Sequence, residues 1–277
     1  MGVDIPAIAV LGHKNSGKTT VIQGLISELM KKHLHVATAK HISLKNFSMD
    51  TVGSDTWHHS MAGANPVIVV SDDEACVMMK DGEEKISLEK ILKFAQENRV
   101  DALLFEGFSY MVLDNARIGK IVCLRNREEY NEFKDKITGE VVAFCSLQKL
   151  GGSILKINED VQVLAERVMK FIEKRGKISE ILNSLAGLDC RKCGKASCDE
   201  LAEDIYEGKA SLDDCLPFRI KSKLKTKILI ENIEVPLQPF VSEFIRKTIL
   251  GMLSALKDVT IKGDEYASIE ILKRRNT

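Results

Sequence analysis

The run Gly12, His13, Lys14, Asn15, Ser16, Gly17, Lys18, Thr19 fills every fixed position of the pattern G-x-x-x-x-G-K-[ST]. An apolar stretch at residues 8–11 precedes it and an amphipathic stretch at residues 20–32 follows. The run is therefore expected to turn a strand into a helix. Its glycines let the backbone curl until several N–H groups face phosphate oxygens, and the helix N-terminus adds its positive dipole end. In such a loop the lysine, Lys18, neutralises the β- and γ-phosphates and the hydroxyl of Thr19 holds Mg²⁺. Thr20 is the next residue of the same binding surface. A second loop lysine acts across the subunit interface in some dimeric ATPases, but Lys14 lies two residues after Gly12 rather than one, and reads as a solvated lysine near phosphate.

A strand-to-helix phosphate loop demands a sheet able to hold it, and the chain supplies one. Short β-rich runs alternate with helical stretches through the first two-thirds, which argues for βαβ units and a parallel sheet. After residues 8–11, strands are expected at 36–39, 67–70, 76–79, 102–105, 121–124 and 141–144, with a hairpin at Asp81 and Gly82. Val161, Leu164, Val168, Phe171 and Ile172 recur at helical spacing. That helix is expected to close the first domain near Arg175, followed by Gly176 and a short helix. The remainder reads as a strand at 227–235, a helix at 241–256 entered through Pro236 and Pro239, and a strand at 267–272. Val241, Phe244, Ile245, Ile249, Met252, Leu253 and Leu256 form the expected core stripe of that helix. The expected fold is α/β, a P-loop nucleotide-binding domain over residues 1–175, a four-cysteine domain over 176–220 and a small α+β unit over 221–277.

A magnesium-nucleotide site also needs a carboxylate at the end of a neighbouring strand. Ala102, Leu103, Leu104 and Phe105 followed by Glu106 and Gly107 have that form. Parallel sheets bind ligands at this edge, and Gly107 leaves room beside the phosphates. Asp50 lies in the polar segment after the second strand, where a switch or substrate loop would approach the γ-phosphate, and is the second candidate for holding the metal or its water. Asp55 has the same option or is an early-turn helix acid, while His58 and His59 read as surface residues. Lys18, Glu106 and Asp50 form the candidate catalytic set, with no obvious general base. Arg125 and Arg127 are candidate lid arginines.

Together these residues resemble the molybdopterin-guanine dinucleotide biosynthesis protein B family. The resemblance rests on the phosphate loop, Lys40 and His41, Asp50 with Gly53, Asp55 and Thr56, then Ala62, Gly63 and Ala64. It continues in Glu106, Gly107 and Phe108, and in Lys120, Ile121 and Val122 before Arg125. It covers roughly the first 150 residues in the family's order. It implies a homodimeric GTP-binding protein that assists a nucleotidyltransferase in attaching a nucleotide to molybdopterin, on behalf of molybdenum or tungsten enzymes. It also implies that Lys18 and Thr19 contact phosphate and magnesium, with Asp50 and Glu106 on the metal side. The chain departs from the family at Thr51 and Ser54, where lysines are frequent, and at Cys145 and Ser146, where an Asp is frequent. No Asn-Lys-x-Asp guanine-reading motif occurs, so GTP as the nucleotide follows from the resemblance alone.

Four of the seven cysteines cluster as Cys190, Cys193, Cys198 and Cys215, spaced C-x2-C-x4-C-x16-C. In a cytosolic chain such a cluster points to metal ligation rather than disulfides. Four thiolates suit either zinc or a [4Fe–4S] cluster, and spacing leaves the choice open. Gly194 beside Cys193, Leu201, Ile205, Gly208 and the Leu216-Pro217 pair after Cys215 resemble a small iron–sulfur domain of electron-transfer and corrinoid proteins, which favours [4Fe–4S]. The cluster's role is structural, sensory or electron-delivering. Cys76, Cys123 and Cys145 are expected to be small buried residues.

Lys plus Arg equal Asp plus Glu at 40 each, so the basic footprint of a general nucleic-acid binder is missing. Lys221, Lys223, Lys225 and Lys227 read as a solvated strand edge. No stretch has the length and apolarity of a membrane span or the form of a signal peptide, which suits a cytoplasmic protein. The leading reading is a slowly hydrolysing GTP-binding accessory protein of molybdenum- or tungsten-cofactor maturation carrying an iron–sulfur domain. A metallochaperone-type regulatory NTPase, a P-loop kinase and a redox-responsive nucleotide-binding module are the alternatives.

Overall fold

The computed structural model describes residues 5–44, 47–80, 87–222, 226, 228–230, 233–235 and 237–257. The chain divides into two compact units, residues 1–177 and 178–277. The elements run β1 (Ala7–Leu11), α1 (Lys18–Lys31), β2 (Val36–Lys40), α2 (Asp55–Met61), β3 (Val67–Val70), β4 (Ala75–Met78) and α3 (Leu88–Glu97). They continue with β5 (Ala102–Glu106), α4 (Ser109–Val112), β6 (Gly119–Leu124), α5 (Glu128–Lys134), β7 (Val141–Ser146), β8 (Leu155–Lys156) and α6 (Val161–Ser184).

Six strands form one parallel sheet in the order β2-β5-β1-β6-β7-β8. Every residue of β1 is buried, because alternate side chains serve opposite faces of a sheet covered on both sides. Ile8 and Val10 join Val21, Leu25 and Leu29 of α1 and Leu164, Val168 and Phe171 of α6 in one core. Ala7, Ala9 and Leu11 join Ala95 of α3, Val112 of α4 and Phe133 of α5 in the other. Each fully buried Leu or Ile contributes about 1.5–3 kcal/mol relative to exposure. β1 lies between β5 and β6, so the loop leaving β1 faces the C-terminal ends of both.

Two expected strands fall outside this sheet. Among the described residues β3 and β4 pair only with each other, antiparallel, across a turn in which Ser71 N–H donates to the Glu74 carbonyl. The hairpin expected at Asp81 and Gly82 lies outside the described residues. Cys76, on β4, is exposed rather than buried.

The helix expected to stop near Arg175 runs on to Ser184 as α6. Gly176 interrupts nothing, because a helix glycine costs only about 1 kcal/mol and Phe171 and Ile178, both buried, anchor the helix on either side of it. In the second unit, Ile178 and Leu185 pack with Cys198, Leu201, Ala202 and Cys215. Here α7 (Cys198–Tyr206) is capped by Ser197, whose hydroxyl accepts from Glu200 N–H at 3.1 Å. It is followed by α8 (Leu216–Ser222), β9 (Leu229–Ile230), β10 (Ile233–Glu234) and α9 (Pro239–Ser254).

The single strand expected at 227–235 is instead the antiparallel pair β9–β10; Glu231 and Asn232 break its apolar run in the sequence. On α9 the buried residues are Ser242 and Leu250, whereas Val241, Phe244, Met252 and Leu256 of the expected core stripe are exposed. Ile245, Ile249 and Leu253 of that stripe are half-buried. The strand at 267–272 and Lys223, Lys225 and Lys227 lie outside the described residues. Among the described residues, no helix is long and apolar enough to cross a membrane.

Candidate functional site

The loop between β1 and α1 is held in its curl by backbone geometry that few residues tolerate. Gly12 sits at φ 138° and Gly17 at φ 93°, with Asn15 at φ 63° between them. A Cβ on Gly12 would lie 2.3 Å from the Cys123 carbonyl oxygen, and one on Gly17 would lie 2.9 Å from both Leu147 and Ile157. The first glycine therefore lets the loop lie against β6, and the second lets it turn into α1.

Lys18 folds back over the loop, its ammonium donating to the Gly12 carbonyl at 3.0 Å and the His13 carbonyl at 2.7 Å. Its positive charge is parked at the mouth of the loop beside the N-terminus of α1. Ser16 is buried, and its hydroxyl has no hydrogen-bond partner among the described residues. His13 is tied sideways to α5, with Nε2 3.1 Å from the Glu132 carboxylate and its ring edge-on to Phe133. Hydrogen bonds from His13 and Lys136 hold the Glu132 carboxyl below the usual carboxylate range. Lys14, Thr19 and Thr20 are exposed.

Thr19 and Glu106 come together across 87 positions of sequence. The Thr19 hydroxyl donates to Glu106 Oε1 at 3.1 Å, and the Lys40 ammonium lies 2.9 Å from the same oxygen. The sheet order causes this, since β5 lies between β1 and β2 and sets Lys40 opposite Glu106 in the parallel register. The Glu106 carbonyl also accepts from His41 N–H at 3.0 Å. Gly107, at φ 86°, passes close to His41, and the His41 ring meets Phe108 and Tyr110 at centroid distances of 5.4 and 5.3 Å. Sequence reasoning named Lys40 only as part of a resemblance; its pairing with Glu106 depends on strand order.

Asp50 is placed differently. Its Oδ1 accepts from Ser54 Oγ at 2.8 Å, Thr56 Oγ1 at 2.9 Å and Thr51 N–H at 2.8 Å, which ties the segment into the cap of α2. The Ser54 hydroxyl leads these bonds in holding the carboxyl below its ordinary range. Among the described residues no hydrogen bond joins Asp50 to Lys18, Thr19 or Glu106. Asp55 is the first residue of α2, and His58 and His59 lie in its last turn. The two arginines after β6 are engaged. Arg125 Nε donates to the buried Glu129 carboxylate at 2.5 Å, and Arg127 Nε donates to the Leu150 carbonyl at 2.7 Å.

Lys120 lies near the start of β6, away from the strand ends that form the site, and is fully buried. Its ammonium donates to the carbonyls of Asn115 at 2.5 Å and Thr138 at 2.6 Å. Burial pulls it down to about 8, with Asp114 acting in the opposite sense. Cys123 and Cys145 are register partners on β6 and β7. Burial pushes the Cys145 thiol up to about 12 and Cys123 higher still, so both stay protonated and inert.

In the second unit, Cys190, Cys193, Cys198 and Cys215 line one pocket, partly open to solvent, whose apolar wall includes Leu188, Leu201, Leu216 and Pro217. Asp189 at φ 43°, Arg191 at φ 58° and Gly194 at φ 82° wrap the loop around it. Asp189 Oδ1 accepts from Cys198 N–H at 2.6 Å and holds the loop to the start of α7. Cys198 and Cys215 are buried, Cys193 is half-buried and Cys190 is exposed. Among the described residues no three His, Cys, Asp or Glu side chains converge closely enough for a single metal ion. Lys195 pairs with Asp204 on the flank of α7, which raises the lysine above its ordinary range.

Residues 7–146 match the family described as “Molybdopterin guanine dinucleotide synthesis protein B”. Residues 185–217 match a family described as “Putative Fe-S cluster”. A Methanocaldococcus jannaschii protein named “Putative molybdopterin-guanine dinucleotide biosynthesis adapter protein” is 28% identical over 266 residues, 96% of this chain and 98% of its own length. It therefore matches both units. A Haemophilus influenzae “Molybdopterin-guanine dinucleotide biosynthesis adapter protein” is 34% identical over 108 residues, 39% of this chain and 60% of that protein. The crystal structure of Bacillus subtilis MobB is similar with a TM-score of 0.49 and 21% identity, over 60% of this chain and 98% of that one.

Proposed function

Because the chain belongs to the molybdopterin guanine dinucleotide synthesis protein B family, we propose that it is an adapter in molybdopterin-guanine dinucleotide biosynthesis that binds GTP with Mg²⁺ and hydrolyses it slowly. The observation that carries this reading is the convergence of Lys18, Thr19 and Glu106 at the C-terminal edge of the sheet, around a loop curled through Gly12 and Gly17 at positive φ. Loop N–H groups and the start of α1 take the phosphate oxygens, and Lys18 leaves the carbonyls of Gly12 and His13 for the β/γ-phosphates.

The donor set fits magnesium. Thr19 offers a hydroxyl and Glu106 a carboxylate, a hard oxygen pair, and the Lys40 ammonium beside it shows that this position accepts positive charge. When bound, the ion supplies charge neutralisation on the phosphate oxygens. Asp50, engaged with Ser54 and Thr56, serves this site by ordering the segment that enters α2.

The match of residues 185–217 to a family described as “Putative Fe-S cluster” favours a [4Fe–4S] cluster over zinc at the four cysteines. The partners of the adapter are the molybdopterin nucleotidyltransferase, the molybdenum or tungsten enzymes that receive the product, and a second copy of the chain, all in the cytoplasm. A metallochaperone-type NTPase is the second reading. Exposed Cys190 favours it, since a solvent-facing ligand gives an acceptor access to the metal.

Anaerobic purification followed by iron, sulfide and zinc analysis, with GTP and ATP titrations on the same sample, tests the proposal. The expected result is about four irons per chain, Mg²⁺-dependent GTP binding preferred over ATP, and its loss in Lys18→Ala. GTP binding that survives Lys18→Ala sinks the nucleotide reading, and stoichiometric zinc without iron sinks the cluster.

A further inference from the structure

Lys40 is a lysine at a position where chemistry calls for a metal. It ends β2, stands opposite Glu106 in the register, and places its ammonium 2.9 Å from the one carboxylate oxygen that also accepts the Thr19 hydroxyl at 3.1 Å. The two partners differ in freedom: the Glu106 side chain is 14% exposed and held by the sheet, whereas that of Lys40 is 54% exposed. A long flexible stem lets Lys40 leave while the carboxylate stays.

We propose that Lys40 is a tethered cation that occupies Glu106 in the nucleotide-free protein and competes with Mg²⁺ for it, so that this lysine sets the Mg²⁺ concentration at which GTP is held. Two cations crowded on one partly desolvated oxygen repel each other, so arrival of the divalent ion on Thr19 and Glu106 displaces the ammonium. Until then the lysine keeps the Glu106 carboxylate aimed at Thr19, and Lys40 is a positioning residue for the metal site. The inference rests on the magnesium-nucleotide reading above.

The test is the Mg²⁺ dependence of fluorescent GTP binding to the full chain. Lys40→Met, which keeps the apolar stem and removes the charge, should lower the half-saturating Mg²⁺ concentration by roughly fivefold, the equivalent of a partly exposed ion pair. Lys40→Arg should stay near wild type. As a second readout in the wild type, acylation of the Lys40 amine by an amine-reactive ester, followed by mass spectrometry, should rise when Mg²⁺ and GTP are added together. A Lys40→Met protein whose Mg²⁺ midpoint is unchanged or higher, or a Lys40 amine that does not become more reactive, overturns the inference. If either occurs while Lys18→Ala abolishes binding, the nucleotide site stands and only the role of Lys40 fails. If Lys18→Ala still binds GTP, the site reading falls and takes the inference with it.

Discussion

Replacing Lys120 with methionine should erase a pH dependence of stability that the wild-type fold carries. The Lys120 side chain is fully buried, and its ammonium is drawn down from 10.5 to about 8 by burial. At about 1.36 kcal/mol per pH unit, that drop corresponds to about 3 kcal/mol of stability at stake. Between pH 8 and 10.5 the unfolded chain still holds the proton that the folded chain has released, so the unfolded state binds more protons and stability rises with pH. Below pH 8 both states are protonated and the burial penalty is fully present. The hydrogen bonds to the carbonyls of Asn115 and Thr138 offset it there. Lys120→Met removes the titration and orphans both carbonyls, so it should lose about 1–3 kcal/mol at pH 7. Relative to this variant, the wild type should gain about 2–3 kcal/mol between pH 7 and 10. Urea unfolding followed through Trp57, the one tryptophan, reports on the first unit at each pH. Parallel stability curves for the two proteins across that range would refute the reasoning.

The remaining expectations concern the two candidate sites. Ser16→Ala removes a buried hydroxyl without a hydrogen-bond partner among the described residues, so thermal unfolding of the nucleotide-free protein should be unchanged or stabilised by up to about 1 kcal/mol. A loss beyond about 1 kcal/mol would mean that the hydroxyl is satisfied in solution. Cys215→Ala should cut iron per chain several-fold in anaerobic preparations, whereas Cys76→Ser, on exposed β4, should leave it intact. Equal iron loss in both would separate the four-cysteine cavity from the cluster.

The phosphate loop was legible because its chemistry is local. Eight consecutive residues determine the curl, and the strand before and helix after it are set by short-range apolar patterns. Glu106 was legible for the same reason, as an acid ending an apolar run, and the cysteine spacing pointed to the four residues that line one pocket. The continuation of α6 through Gly176 was not, since glycine stops an isolated helix more readily than one anchored by Phe171 and Ile178. The exposure of Phe244 and Met252 on α9 was equally hidden, because an apolar stripe does not say which of its residues find a partner.

The sequence by itself determined that a strand would deliver a phosphate-binding loop into a helix, that an acid would end another buried strand, and that four cysteines would gather at one pocket. Tertiary structure alone decided who meets whom. The order β2-β5-β1-β6 brings Glu106 to Thr19 across 87 positions and sets Lys40 on the same oxygen, while Asp50 is drawn into the cap of α2 and Lys120 is sealed under two carbonyls. The physical reason is that curl and periodicity are fixed by torsions and neighbours a few residues apart, whereas strand order follows from how two apolar faces of one sheet are buried at once.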